Sequence, residues 1–222
     1  MTDFPTDAIL ITIKVASFST AISFAFSVLL AYVMSRRNIP GRRIIDSLCT
    51  LPIVLPPTVL GFFLLVIVGR RGVLGAWLAE RGINLIFSWQ GAVLAATVVI
   101  FPLIYKSARG AFDGVDRNLE NAARSLGANE MKVFILVSLP QARNGIIAGT
   151  LLAFARGMGE FGATLMIAGN IPGKTQTLAL AIYDAFSAGK DAQAALLAAI
   201  TSAICLVILV SADWLFSPPR QG

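Results

Sequence analysis

Five long apolar stretches constrain this chain more than any other feature of its sequence. A helix needs about 20 mostly apolar residues to cross a bilayer, and stretches of this kind lie at Ile9–Met34, Ile45–Val68, Trp89–Tyr105, Ile146–Ala168 and Ala194–Trp214. Hydrophobic residues make up 56% of the 222 positions and charged residues 14%, which argues against a soluble domain. The sequence therefore predicts an all-α, polytopic membrane helix bundle of about five transmembrane helices.

Lysines and arginines predict how these spans are oriented. Cytoplasmic loops carry an excess of both residues. The loops after the first and third stretches and the C-terminal tail hold eleven of them, against five in the remaining loops. We expect the N-terminus outside and the C-terminus in the cytoplasm. The same bias accounts for the net charge of +6, so no nucleic-acid partner is expected.

The residue inventory excludes several kinds of site. The chain has no histidine, so neither a histidine-based metal site nor a catalytic triad is expected. Cys49 and Cys205 are the two cysteines, each in an apolar stretch, and they predict neither a disulfide framework nor a zinc site. The N-terminus is acidic and lacks the basic region of a cleavable signal peptide, so we expect the first apolar stretch to remain in the protein.

Prolines predict that the second span is not straight. Pro52, Pro56 and Pro57 all fall within Ile45–Val68. A proline removes a helix hydrogen bond and forces a kink. In a membrane such a kink is tolerated where neighbouring helices or a cavity satisfy the freed carbonyl groups.

A polar segment between the third and fourth spans predicts two short helices. Asp116 can cap the first helix and Asn129 the second, and Gly127 suits the left-handed end of the first. The first helix has an apolar face at i, i+3, i+4 and i+7, and the second has one of its own. These faces comprise Leu119, Ala122, Ala123 and Leu126, then Val133, Phe134 and Val137. The pattern favours docking to another protein; an ordinary amphipathic hairpin at the membrane interface is the alternative.

Two glycine-rich strings imitate nucleotide-binding motifs. Gly157–Gly162 spells G-x-G-x-x-G, but a dinucleotide fingerprint needs a preceding strand, and this string lies within a predicted span. The spacing of Ala155, Gly159 and Ala163 instead predicts a small-xxx-small surface for close helix packing, or a bend at Gly157 and Gly159.

The string Gly169–Thr175 resembles a phosphate loop but is one residue short between its glycines. It predicts an exposed outer turn, or a place where backbone amides or Lys174 meet an arriving anion or a binding protein. The following segment, 176–189, is too short to cross and predicts an outer-leaflet or re-entrant helix. No Walker A motif occurs in the sequence, so the chain is not expected to hydrolyse nucleotide itself.

Arg156 and Glu160 form the one ionisable pair deep within a predicted span. Their i,i+4 spacing lets them interact, and the cost of a charge at mid-bilayer, about 2.5–3.5 kcal/mol on insertion scales, places them against protein or water. One interpretation is a neutralised pair that holds the bundle together. The other is a translocation path or gate formed with Gly157, Gly159 and Thr164, in which Arg156 attracts an anion and Glu160 moderates the attraction.

The polar segment also carries a resemblance to known proteins. Asn121-Ala122-Ala123, Gly127, Val137 and Leu139-Pro140 stand at the spacing of the "EAA…G…I-LP" loop of ABC-importer permeases. The departures are Asn121 in place of the motif's Glu, with Glu120 one position earlier, and Val137 in place of Ile. The resemblance implies that an ATPase docks on residues of this loop: Leu119, Glu120, Asn121, Ala122, Ala123, Leu126, Gly127, Leu139 and Pro140.

Longer strings resemble the permease subunit of bacterial molybdate ABC importers: LPIVLPPTVLGFFLL, GRRGVLG, FSWQGAVLAA and ARGMGEFGATLMIAGNIPGKTQTLALAIY. The resemblance implies one transmembrane domain over residues 1–222 with the type I, MetI-like fold and a docking loop at about 107–144. It also implies a bacterial inner-membrane location. The expected partners are a second copy of the chain, two cytoplasmic ATP-binding subunits and a periplasmic or lipid-anchored oxyanion-binding protein.

The resemblance also implies that the chain is a permease subunit and not an enzyme, that it binds no cofactor, and that ATP and Mg are held by the partner ATPase. Sulfate, thiosulfate and tungstate permeases are the nearest alternatives. An ion-coupled secondary transporter and a membrane enzyme are more distant ones, since few titratable groups lie in the spans.

Overall fold

The structure, a computed structural model, describes residues 6–37 and 39–216, with side chains up to residue 211. Every regular element within these ranges is helical. In chain order they are α1 (Thr6–Arg36), α2 (Arg42–Val54), α3 (Pro57–Val68), α4 (Val73–Ala79), α5 (Trp89–Asp113), α6 (Arg117–Ser125), α7 (Glu130–Val133), a π-helix (Phe134–Ser138), α8 (Leu139–Met158), α9 (Gly162–Ala168), α10 (Leu178–Ser187) and α11 (Asp191–Phe216).

The five predicted spans correspond to three single helices and two bent pairs. Helices α1, α5 and α11 are each long and apolar enough to cross a membrane. The second predicted span is divided between α2 and α3, whose axes meet at 114°. The fourth is divided between the helical segment Glu130–Met158, which ends with α8, and α9, and these two meet at 59°. The prediction of an all-α membrane bundle is confirmed.

The centre of the bundle is the packing of α1, α5 and α8. Met34, Ile104, Phe112 and Ile146 are almost fully buried there. Buried serines strengthen the contact between α1 and α5, because Ser23 Oγ donates to the Thr97 carbonyl at 2.8 Å. In a membrane, interhelical hydrogen bonds and close packing replace the hydrophobic effect as the force between helices.

Glycines allow α8 to approach α5 closely. A Cβ at Gly149 would overlap the side chain of Ser107, and a Cβ at Gly145 would lie 2.8 Å from the Cβ of Ala111. Gly145, Gly149 and Ala153 are four residues apart, and they supply the small-xxx-small surface of α8. The predicted surface at Ala155, Gly159 and Ala163 is wrong, because α8 ends at Met158 and Gly159 and Ala163 are not on the same helix.

The predicted kink of the second span is confirmed at Leu55–Pro56. Pro56 is extended, with φ −54° and ψ 138°, and Pro57 opens α3. Pro52 lies inside α2, a helix with no buried residue. The prolines therefore divide the span into an exposed helix and a helix that packs against α9.

The loops that arginine counting assigns to the cytoplasm lie at one end of the bundle, which we call the inner end. There Arg36 pairs with Glu120 and Arg42 with Asp113. Arg220 belongs to the same group in the sequence, but it lies outside the described residues.

At the opposite, outer end, the amide of Phe87 donates to the Ile167 carbonyl at 3.0 Å, and the amide of Leu178 donates to Thr12 Oγ1 at 2.8 Å. Residues 178–187 form α10, a helix too short to cross, which packs on α11 and α1.

Candidate docking helix and transport path

The two helices predicted in the docking loop form with the predicted caps. The Asp116 carboxylate accepts from the Asn118 amide at 2.8 Å, and Asn129 Oδ1 accepts from the Lys132 amide at 2.9 Å. Gly127 adopts φ +84°, a left-handed conformation that most residues avoid. Local hydrogen bonding thus fixes both ends of α6 and the start of α7.

The apolar face of α6 points away from the rest of the chain. Leu126 is 89% exposed and Leu119 is 47% exposed, while Ala122 is exposed and Ala123 is partly buried. Asn121, at the motif's Glu position, is also exposed and accepts from Arg124 Nη1 at 2.9 Å. The chain therefore leaves an apolar helix face available for a partner.

Glu120 does not belong to this exposed face. Only 1% of the residue is exposed, and its Oε1 accepts from Arg36 Nε at 2.8 Å and from Ser138 Oγ at 2.6 Å. The sequence grouped Glu120 with the docking residues, but the structure turns its carboxylate inward. On a helix, neighbouring residues point about 100° apart, so the residue next to Leu119 reaches the bundle.

The second apolar face packs inward. Val133 is buried, and the Phe134 ring lies 4.6 Å from that of Tyr32 and 6.1 Å from that of Phe112, measured between centroids. From Phe134 the chain continues through the π-helix into Leu139 and Pro140, the first residues of α8. The second helix of the docking loop, α7, is therefore joined to α8 by uninterrupted helical structure.

An exposed ion pair joins the end of α6 to the start of α7. Arg124 Nε lies 2.7 Å from Glu130 Oε1 and Arg124 Nη2 lies 3.1 Å from Oε2. This two-point hydrogen bond holds the pKa of the Glu130 carboxyl below its ordinary value and raises the pKa of Arg124. The pair fixes the turn around Gly127 that connects α6 to α7.

The second group of candidate residues surrounds the break between α8 and α9. Arg156 Nη1 lies 3.0 Å from Glu160 Oε2, and Glu160 Oε1 accepts from the Ala163 amide at 3.1 Å, which caps α9. The Glu160 side chain is 2% exposed and that of Arg156 is 42% exposed. The Glu160 carboxylate is thus buried and held by its partners, while the Arg156 guanidinium remains partly exposed.

The remaining predicted path residues lie within the same few turns. Gly157 is buried, and a Cβ there would meet Ile100 and Ser19. Gly159 is the C-cap residue that follows α8, and Thr164 on α9 is 1% exposed. The predicted bend is therefore present at Gly159, whereas Gly157 lies within α8, and all five predicted path residues lie around the bend.

The two broken helices contact each other at their breaks. A Cβ at Gly162 would lie 2.7 Å from the Cβ of Pro57, and one at Gly61 would lie 2.8 Å from the Cβ of Met166. Beside this contact is a cavity of about 180 Å³. It is lined by Pro52, Ile53, Leu55, Pro57, Leu60, Val99, Leu103 and Arg156. Its lining is apolar apart from the guanidinium, so an anion that enters meets one positive group.

The glycine-rich outer string forms a turn held by its own hydrogen bonds. Thr175 is buried, and its Oγ1 accepts from the Ile171 amide at 3.1 Å and donates to the Gly169 carbonyl at 3.4 Å. Pro172, Gly173 and Lys174 form the exposed tip. The prediction of an exposed turn is confirmed.

Sequence reasoning missed a set of polar contacts at the inner end. Tyr105 Oη donates to Asp46 Oδ1 at 2.5 Å, and Arg109 pairs with the same carboxylate. No sequence pattern predicts these contacts, because Asp46 is 59 residues from Tyr105 in the chain. The Gly145–Gly149–Ala153 spacing, in contrast, was visible in the sequence.

Comparison with known proteins agrees with this architecture. The family described as "Binding-protein-dependent transport system inner membrane component" matches residues 23–217. The Molybdenum transport system permease protein ModB of Escherichia coli (strain K12) is 45% identical over 223 residues, covering 100% of this chain and 97% of that protein. The protein of the same name from Haemophilus influenzae is 40% identical, covering 94% and 92% of the two chains.

A relative with a different printed substrate is also similar. Sulfate permease 2, chloroplastic, of Chlamydomonas reinhardtii is 37% identical over 90% of this chain and 54% of its own. Among solved structures, the inward-facing MetNI methionine ABC transporter superposes with a TM-score of 0.76 at 18% identity, covering 97% of this chain and 98% of that chain. That likeness shows the fold, which is the type I permease fold.

Proposed function

The chain belongs to the family of binding-protein-dependent transport system inner membrane components, and on this premise we propose that it is the membrane subunit of an ATP-driven molybdate importer. It forms the translocation path of a multi-pass inner-membrane complex. Two copies assemble with two cytoplasmic ATPase subunits, which hold ATP and Mg, and a periplasmic or lipid-anchored protein delivers the oxyanion. Full-length identity of 45% to a molybdenum transport permease supports the choice of substrate.

The observation that carries the coupling role is the orientation of α6. Its apolar residues Leu119, Ala122 and Leu126 face outward, and burying a leucine at an interface contributes about 1.5–3 kcal/mol. The opposite face is anchored through Glu120. A helix fixed on one side and apolar on the other can both bind an ATPase groove and transmit its movement.

The transport path is proposed to run past the contact between the two broken helices. Discontinuous helices form the substrate sites of many transporters, because their interrupted backbones line a cavity. Arg156 supplies positive charge to the cavity. The Glu160 carboxylate lies 3.0 Å from the Arg156 guanidinium, and its negative charge weakens the attraction of Arg156 for an anion. A path that binds its ion weakly can release it, as alternating access requires.

Uptake into proteoliposomes tests the proposed substrate. The chain is reconstituted with its ATPase, and labelled molybdate is added with the binding protein outside and ATP inside. We expect ATP-dependent uptake that unlabelled tungstate suppresses and sulfate does not. Suppression by equimolar sulfate would favour the sulfate alternative, which the Chlamydomonas relative represents. Uptake without the ATPase would overturn the proposal in favour of a secondary transporter.

Co-purification tests the docking role of α6. Leu126 is 89% exposed, so Leu126→Asp should leave the fold intact while placing a charge on the proposed contact surface. We expect this variant to lose the ATPase during affinity purification. Ile83→Asp, at an exposed position of the outer end, is the matched control and should retain it. Equal retention by both variants would contradict docking through this face.

A further inference from the structure

Glu120 anchors three elements at one point. Its buried carboxylate accepts hydrogen bonds from Arg36 at the end of α1 and from Ser138 in the π-helix. Arg36 is itself nearly buried, with 8% of its side chain exposed. A buried ion pair resists separation because each charge left alone pays a desolvation penalty. A displacement of α6 must therefore carry the end of α1 with it.

The contacts continue from α1 to α5. Arg36 Nη1 donates to Ser35 Oγ at 3.1 Å, and Ser35 Oγ donates to Asp113 Oδ1 at 2.5 Å. Asp113 Oδ2 lies 3.7 Å from Arg109 Nε on the preceding turn of α5. The Asp113 side chain is 47% exposed, so it is the most accessible member of the series.

From α5 the contacts reach α2. Arg109 pairs with Asp46, and Tyr105 donates to the same carboxylate. α2 has no buried residue and packs principally on α5, so Asp46 is its main polar attachment. α2 also leads directly to the proline break and to the cavity that Arg156 lines.

We propose that these contacts form a polar relay, Glu120–Arg36–Ser35–Asp113–Arg109–Asp46, that couples the docking helix α6 to the broken helix α2–α3. Glu120 and Asp46 are its two ends, and both act as positioning residues: they touch neither the anion nor the nucleotide. The relay gives the movement of α6 a second route to the transport path, besides the turn at Gly127 and the helical run from α7 into α8. This inference rests on the proposed function.

The number of molybdate ions transported per ATP hydrolysed tests the relay in the reconstituted complex. We expect Asp113→Ala to lower this ratio by about 5- to 150-fold, the range of coupling between distinct sites. ATP hydrolysis should continue, because the ATPase contact is untouched. Since Asp113 is half-exposed, this variant should assemble normally. Glu80→Gln, an exposed carboxylate of the outer end, is the control and should keep the wild-type ratio.

A double-variant comparison separates a relay from independent contacts. Residues acting in one network show non-additive effects. Asp46→Asn added to Asp113→Ala should therefore lower the ratio no further, and Glu120→Gln added to it should behave the same. A wild-type ratio for Asp113→Ala, or losses that multiply in the double variants, would overturn the relay. Absence of ATP-dependent molybdate uptake by the wild-type complex would instead count against the proposed function.

Discussion

The two broken helices reach their bends by different chemistry. At Leu55–Pro56 the chain turns by 114° where prolines remove backbone donors. At Gly159–Phe161 it turns by 59°, and the Glu160 carboxylate caps the helix that follows. The first bend begins in a helix with no buried residue, whereas the second lies among buried residues on both sides.

This difference shows how one fold combines a fixed and a free bend. A missing donor leaves carbonyl groups unpaired but imposes no particular partner. A buried carboxylate must instead keep its cation and its hydrogen-bond donors, because an unpaired buried charge is costly. The α8–α9 break is therefore the fixed side of the cavity, and α2 is the side free to move.

The largest expected change in stability comes from removing either member of the Arg156–Glu160 ion pair. Arg156→Leu leaves the buried Glu160 carboxylate without its cation, and we expect the free energy of unfolding to fall by about 3–5 kcal/mol. Glu160→Gln leaves a guanidinium that reaches the cavity and keeps an acceptor for the Ala163 amide, so the loss should be smaller, about 1–3 kcal/mol. Denaturation of the purified chain measures both. Equal losses would mean that the carboxylate is not the locked partner.

The next largest change in stability is expected when the same substitution, isoleucine to alanine, is made on α8 and on α2. Ile146 on α8 is 2% exposed, and Ile146→Ala should cost about 2–5 kcal/mol through the cavity it creates. Ile44 on α2 is 67% exposed, and Ile44→Ala should change stability by about 0.5 kcal/mol or less. Thermal unfolding of monomeric chain in detergent is the measurement. Similar losses for the two variants would contradict the exposed position of α2.

The smallest expected change in stability tests the contact between the α2–α3 break and the α8–α9 break. A Cβ at Gly162 would lie 2.7 Å from Pro57, and Gly162→Ala should destabilise the chain by about 1–3 kcal/mol, as overpacking does. Gly110→Ala, in α5, meets no atom within 4 Å and should stabilise by about 0.5–1 kcal/mol. Unfolding midpoints of the two variants provide the comparison. A neutral Gly162→Ala would show that the broken helices are not in close contact.

The sequence determined the features that depend on local chemistry. Apolar length placed the spans, and prolines placed the first break. Asp116 and Asn129 are recognisable as helix starts because an N-cap side chain must accept from a nearby backbone amide. Gly127 is recognisable as a helix end because it has no Cβ to oppose a left-handed conformation.

Tertiary structure alone decided which charged residues pair across long sequence distances. The resemblance to the permease loop grouped Glu120 with the docking residues of α6, but its partner Arg36 is 84 residues away. Likewise the contact between Pro57 and Gly162 joins segments that are distant in sequence. The physical reason is that local hydrogen bonds and hydrophobic length select helices, whereas the pairing of buried charges and the close approach of breaks exist only once the helices have packed.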